Sequence, residues 1–225
     1  MIAMIKSYFL TAFRNILKHR NFSIINIFGL SISMAVCMLI ILIVQDQLSY
    51  DNFHKNRDRI YRIQSINNQS KIAIIKFAST TWPLAKELKD NYPFVGDIVA
   101  LNNNFNGEGI CDEKRLQVSG FFATSSFFNL FDFKLKNNLA SKPLDEPNSI
   151  VLTEDVANKF FGDKDPVGKT IIFERYGNLK VTGVIPKMTQ KSHIQFEALI
   201  SAATLLVLEK EKKVGNVTDN WDEFG

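Results

Sequence analysis

The sequence predicts an α+β extracytoplasmic domain on a single N-terminal transmembrane helix, preceded by an amphipathic helix. Three observations predict it. No charged residue stands between Arg20 and Asp46, a run of 25 positions. The segment before that run carries Lys and Arg without one Asp or Glu. Beyond it, short alternating apolar segments are interleaved with short helical ones, the pattern of a mixed domain. The expected organisation is a cytoplasmic juxtamembrane helix over 1–20, a transmembrane helix over 21–45 and an outer domain over 46–225.

Within the first twenty residues, Ile5, Phe9, Ala12, Phe13, Ile16 and Leu17 fall on one helix face, with Lys6, Arg14 and Lys18 off it. A basic amphipathic helix beside a span lies in the headgroup plane, so membrane lipid is its expected partner. Asn21 to Ser23 supply a break and a new cap. The segment from Ile24 to Val44 follows, and 13 of its 21 residues are Ile, Leu, Phe or Val. As a helix it is about 31 Å long, the thickness of a hydrocarbon core. Those side chains favour insertion by about 4 to 8 kcal/mol in sum. Gly29, Ser33 and Cys37 recur every four positions, a face that suits close approach of another helix. The exit, Val44 to Tyr50, offers no small-residue cleavage site, so the segment stays as an anchor. Lys6, Arg14, Lys18 and Arg20 precede it, whereas Asp46 and Asp51 come before the first following Lys, Lys55. That asymmetry places the N-terminus in the cytoplasm.

In the outer domain, Arg59 to Ile66 alternates like a half-buried strand. Thr80 to Asn91 reads as a helix with a Thr cap and Pro83 in its first turn. A strand is expected over Gly96 to Leu101, a polar loop over Asn102 to Gly109, a strand over Lys114 to Ser119 and a short aromatic helix over Ser125 to Leu130. Ser149 to Leu152 reads as a strand, and Thr153 to Phe161 as a helix capped by Thr153. Gly168 to Phe173 and Leu179 to Ile185 read as a hairpin around Tyr176-Gly177-Asn178. Ile194 to Ser201 is a further strand and Ala202 to Lys212 a helix.

The net charge of +4 does not indicate nucleic acid, because the basic residues are interleaved with acids and form no stripe. Cys37 lies in the apolar run and Cys111 in the outer domain, so no disulfide between them is expected, and no Cys/His spacing suggests zinc. Gly162 to Thr170 imitates a phosphate-binding loop, but five residues separate Gly162 from Gly168, one of them Pro166, which has no N–H. The segment also leaves a helix and enters a strand, the reverse of a phosphate loop, and is read as a turn. His19, His54 and His193 lie far apart in sequence. The motifs of serine hydrolases and zinc peptidases are missing from the chain. Phe121, Phe122, Phe127, Phe128, Phe131 and Phe133 are read as core. No catalytic, cofactor-binding or metal-binding residue is assigned, and the chain is not expected to be an enzyme.

Several segments together resemble FtsX-like ABC-transporter permeases. They are Phe13-Arg14-Asn15, Asn21 through Leu30, Gln45 through His54 and Arg59 through Arg62. The outer part is similar to a MacB-like periplasmic core domain, through Phe127 to Phe131, Pro147 to Glu154, Phe161 to Lys169, Val181 to Val184 and Ser192 to Phe196. The resemblance implies a permease subunit of the bacterial inner membrane that couples hydrolysis by a separate cytoplasmic ABC ATPase to motion of a periplasmic domain. It implies a second permease copy as partner, a periplasmic adaptor or substrate protein, and export or extraction of substrates on the periplasmic side. Two departures stand out: the chain ends at Trp221 to Gly225, inside the expected outer domain, and Pro186 to Thr189 replaces an acidic turn. A fragment or truncated product is the expectation. The rival readings are a membrane-anchored sensor or ligand-binding module, and a signal-anchored enzyme.

Overall fold

The computed structural model describes residues 2–67, 75–139, 142–188 and 191–217, with the backbone alone at 2, 3, 5, 6, 9, 67 and 75. The chain divides into two compact units, Met1–Tyr50 and Asp51–Gly225.

The first unit is two helices, α1 (Ile2–Lys18) and α2 (Arg20–Leu48). The break falls at His19 (φ −115°, ψ 47°) and not at Asn21 to Ser23. One residue suffices, because the His19 amide still bonds the Asn15 carbonyl and the Ser23 amide bonds that of His19. With its 29 residues, α2 outruns the expected 21–45 and measures about 43 Å, a hydrocarbon core plus both headgroup layers. It continues through Gln45, Asp46 and Gln47, polar groups suited to the interfacial layer. None of its side chains is buried, although Ile, Leu, Val and Phe surround the helix. A helix apolar on all sides needs an apolar solvent. The hydroxyls of Ser31 and Ser33 donate to the carbonyls of Ile27 and Gly29 at 2.7 and 2.9 Å, which satisfies them without water.

The second unit carries the mixed architecture. A 3₁₀ turn at Arg57–Arg59 precedes β1 (Ser65–Asn67), which pairs antiparallel with β2 (Ile75–Phe77). Only the end of the strand expected from Arg59 forms. Register stops at Ser65 opposite Phe77, and Tyr61 and Ile63 stand exposed without a ladder partner among the described residues. Helix α3 (Pro83–Asn91) follows with Pro83 in its first turn. Its cap is Trp82, and the expected Thr side-chain cap does not form.

Strand β3 (Leu101–Cys111) is the main departure, since Asn102 to Gly109 was expected as a loop. Its partner decides the matter. β4 (Lys114–Ala123) returns directly alongside and pairs from Leu101↔Ala123 to Cys111↔Lys114, so backbone bonds hold a segment of poor strand propensity. Gly109 is required there: a Cβ would lie 2.9 to 3.0 Å from Phe173, Ile171 and Phe160. The strand expected over Gly96 to Leu101 stays outside the sheet up to Ala100.

The remaining elements are α4 (Phe127–Leu130), β5 (Asn137–Asn138), β6 (Ser149–Thr153), α5 (Glu154–Phe161), β7 (Thr170–Phe173), β8 (Gly177–Ile185), β9 (Ala198–Ser201) and α6 (Ala203–Lys210). The strand of Ile194 to Ser201 is thus confined to its last four residues. Thr153 precedes α5 as expected, but its hydroxyl donates to the Glu197 carbonyl at 3.1 Å and does not cap the helix.

Strand order is β5-β8-β6-β9-β4-β3-β7, and β7 also pairs with β8. Six strands, β8-β6-β9-β4-β3-β7, therefore form a closed ring, which removes free edges among them, while β5 adds to β8 from outside. β6 runs parallel to β8 and antiparallel to β9, while β4 and β9 are parallel. Two cores lie on the two faces. One joins Phe105, Val118, Phe122, Ile150, Leu152 and Ile200 to Phe160 of α5 and Leu208 of α6. The other joins Ala123, Val151, Ile185 and Leu199 to Phe127, Phe133 and Leu144. Alternate residues of β6 and β9 enter opposite cores, as a pleated strand requires.

Gly120 of β4 tests the closeness of this ring. A Cβ there would stand 1.9 Å from the Ala198 carbonyl oxygen, whereas one on Gly96 meets nothing within 4 Å. Gly120→Ala is expected to cost about 3 kcal/mol in urea unfolding, and Gly96→Ala within about 0.5 kcal/mol of zero.

Candidate functional site: a clasp at the start of the outer domain

The residues that directly follow α2 in the chain are polar and aromatic, Asp51-Asn52-Phe53-His54-Lys55. Asp51 adopts φ 55°, a left-handed conformation that Asp tolerates better than most residues. The turn it makes sends its amide to the Lys191 carbonyl at 3.0 Å. Its carboxylate accepts from the Ser192 hydroxyl at 2.6 Å and from the His193 amide at 3.3 Å, and meets His193 Nδ1 at 2.7 Å. Ser192, itself buried, then accepts the Ile194 amide at 3.1 Å. One carboxylate thus fastens the chain after α2 to a segment 141 positions away.

His54 makes the second half of the clasp. Its ring is buried among Phe53, Phe131 and Phe133, with centroids at 4.0, 5.3 and 5.6 Å. Nδ1 accepts the Asp132 amide at 3.2 Å, and the Asp132 carboxylate accepts the Lys55 amide at 2.6 Å. This exchange resembles a step of antiparallel ladder in which an imidazole and a carboxylate replace the two carbonyls. Because Nδ1 accepts, the neutral ring carries its hydrogen on Nε2. Nε2 is buried without a hydrogen-bond partner among the described residues, and Asp51 Oδ1 lies 3.8 Å away.

Charge follows this geometry. Burial pushes the Asp51 pKa up, but bonds from Ser192 and His193, with the charge of His193, outweigh it and hold the carboxyl below its ordinary 3.8. His54 is driven below its ordinary 6.5 by burial, against the pull of Asp51 and Asp132. The clasp is therefore anionic at Asp51 and neutral at His54 near pH 7.

Two other places bear on chemistry. The segment imitating a phosphate loop is a turn, as expected. Gly162 (φ 62°) ends α5, and the amides of Val167, Gly168 and Lys169 bond Asp165, the Val181 carbonyl and the Pro166 carbonyl. The Lys169 ammonium sits 4.9 Å over the Phe161 ring. A cleft of about 450 Å³ lies between the loop ending at Ser149 and β8, with Lys142, Glu146, Asn148, Lys180 and Thr182 on its walls. Thr182 in it already donates to the Pro143 carbonyl at 2.7 Å. Among the described residues no group of three or more His, Cys, Asp or Glu is placed to hold a metal ion.

The three histidines are distant in the chain, and nothing in their spacing relates them. The fold brings His54 and His193 to the same carboxylate, and leaves His19 at the break between α1 and α2. The available signal was local: His54 follows Phe53, and Asp132 stands between Phe131 and Phe133, polar residues embedded in aromatic neighbours. Of the six aromatic residues read as core, Phe122, Phe127 and Phe133 are buried, and Phe121, Phe128 and Phe131 pack partly buried against them. Cys37 and Cys111 are free thiols. In the departing turn, Lys187 donates its amide to Glu154, and Thr189 lies outside the described residues.

Comparison with known proteins bears on the fold. The family model of the MacB-like periplasmic core domain matches residues 23–221. A permease-protein domain from Porphyromonas gingivalis superposes with a TM-score of 0.55 at 17% identity, over 71% of this chain and 65% of that one. The periplasmic region of MacB from Actinobacillus actinomycetemcomitans gives 0.46 at 17% identity, over 57% and 58%. The extracellular domain of the noncanonic ABC-type transporter YknZ from Gram-positive bacteria gives 0.47 at 15% identity, over 62% and 70%. The chain thus spans under two thirds of the first two structures. No curated protein matches it.

Asp51→Asn keeps the left-handed turn accessible and removes the charge. At pH 7 it is expected to lower unfolding stability by about 1.5 to 3 kcal/mol. Asp51 contributes stability above its unfolded value and loses it as pH falls through the lower folded one. The deficit should therefore shrink below pH 3.8 in chemical denaturation series.

Proposed function

From the premise that this chain belongs to the family of MacB-like periplasmic core domains, we propose that it is the permease subunit of an ABC-type transporter. Its outer domain moves on the periplasmic side in response to ATP hydrolysis by a separate cytoplasmic subunit. The carrying observation is that the family match runs from Ser23 through α2 into the outer domain, joining an apolar helix of membrane-spanning length to that fold.

In this reading α2 crosses the bacterial inner membrane, α1 lies along the cytoplasmic headgroup layer, and residues from Asp51 onward are periplasmic. The basic flank of α1 supports that orientation through the positive-inside rule. Gly29, Ser33 and Cys37 provide a lipid-facing stripe where a further helix or a second permease copy packs. The outer domain acts as a lever. Its closed six-strand ring transmits displacement without deforming, because each strand is bonded on both sides. A periplasmic adaptor or substrate protein receives the motion, in export or extraction of substrates. The subunit performs no covalent chemistry.

The test is co-purification from the native host in mild detergent with a tag on the chain. An ABC ATPase should elute with it, and ATPase activity in the eluate should be absent from an untagged control. Isolation of a periplasmic ligand complex without any ATPase would support the sensor reading instead. Carbonate washing of membranes should leave the whole chain in the pellet, and its release would refute a spanning α2.

A further inference from the structure

We propose that His54 is a proton-operated release for the clasp, and that its protonation separates the chain following α2 from the Phe131–Phe133 segment. The reasoning is stereochemical. In neutral His54, Nδ1 offers the lone pair that accepts the Asp132 amide at 3.2 Å. A protonated imidazole has donors at both nitrogens and no acceptor. The Asp132 N–H would then face another N–H, so the bond breaks and the ring or the strand must shift. No flip of the ring restores it, because both nitrogens of an imidazolium carry hydrogen, and the rings of Phe53, Phe131 and Phe133 around it offer no substitute acceptor for the amide.

The second nitrogen supplies the driving direction. Nε2–H is buried without a partner among the described residues in the neutral state, with Asp51 Oδ1 at 3.8 Å. The charged groups facing the ring are Asp51, on the same loop, and Asp132, on the segment opposite. Asp51 is in turn bound by Ser192 and His193. Both carboxylates attract an imidazolium, but Nε2–H already lies 3.8 Å from Asp51 Oδ1 whereas Nδ1–H meets the Asp132 N–H, so one proton exchanges a bond across the clasp for one within the loop. The bond of Lys55 to the Asp132 carboxylate remains as the last link of that half.

The medium's access to this joint rests on the periplasmic placement proposed above; the titration itself does not. Under that placement, external acid loosens the hold of the outer domain on the chain that follows α2, and the transmission of motion becomes dependent on pH.

Hydrogen exchange by mass spectrometry on the full chain in detergent tests this without any transport assay. Exchange in the peptide spanning residues 127–135 is corrected for intrinsic rates and compared between about pH 7.5 and about pH 5, a window in which His titrates and Asp does not. Protection in the native chain is expected to fall about five- to tenfold on acidification. His54→Asn places a non-titrating oxygen near the Nδ1 position and should hold protection constant across the window. His54→Phe keeps the ring packing without an acceptor and should show the low protection at both pH values. His193→Gln removes one partner of Asp51 and so changes the starting protection, but should keep the fall on acidification. Flat protection in the native chain overturns the proposal even if a variant fails to fold. An equal acid-induced fall in His54→Asn, or loss of the pH response in His193→Gln, overturns the assignment to His54.

Discussion

Strand β6 has to be dry on both faces, and much of the outer domain is arranged to meet that demand. Ile150 and Leu152 look one way and Val151 the other, all fully buried. A strand bonded on both sides has no polar backbone to show water, so both faces can be apolar, and each then needs its own cover. On one face α5 and α6 supply it; on the other, α4 with Phe133 and Leu144. The long excursion between β4 and β6, in which α4 and β5 are the regular elements among the described residues, follows from this need. It carries the aromatic residues that seal the second face.

That same excursion carries the clasp. Phe131 and Phe133 serve the second core while Asp132 between them presents its amide and carboxylate to His54 and Lys55. One segment thus seals the second core with its rings and, through the amide and carboxylate between them, holds the start of the domain. The Ser192–His193 segment leads through Phe196 into β9, and so ties Asp51 to the central strands. Force applied to the chain at Asp51 therefore reaches the sheet by two routes, one through the aromatic core and one through β9.

The two units satisfy their backbones in different ways. In α2 the amides beyond the first turn are met within the helix, and even Ser31 and Ser33 turn inward, as hydrocarbon requires. In the outer domain neighbouring strands meet most ladder amides, and over Asn102–Asn106 side chains complete the set: the Asn104 amide bonds Asn102 Oδ1 and the Asn106 amide bonds the Tyr176 hydroxyl, so a polar segment serves as strand. Each solution belongs to its solvent. The boundary at Tyr50 and Asp51 falls just past Asp46, the first charge after the apolar run.

By itself the sequence determined the apolar helix, the family, the α+β class and the helices and strands whose signals are local: α3 after Pro83, β6 and α5 around Thr153, and the hairpin of β7 and β8. These depend on periodicity and turn residues within a dozen positions, which a single chain displays openly. Tertiary structure alone decided β3, the ring closure through β7 and the meeting of His54, Asp51 and His193. A strand rich in Asn and Gly is stabilised by its neighbours' backbone, and the site by contacts up to 142 positions apart. Such pairings carry no local signature, because burial and hydrogen bonding are properties of the surroundings that only the folded chain creates.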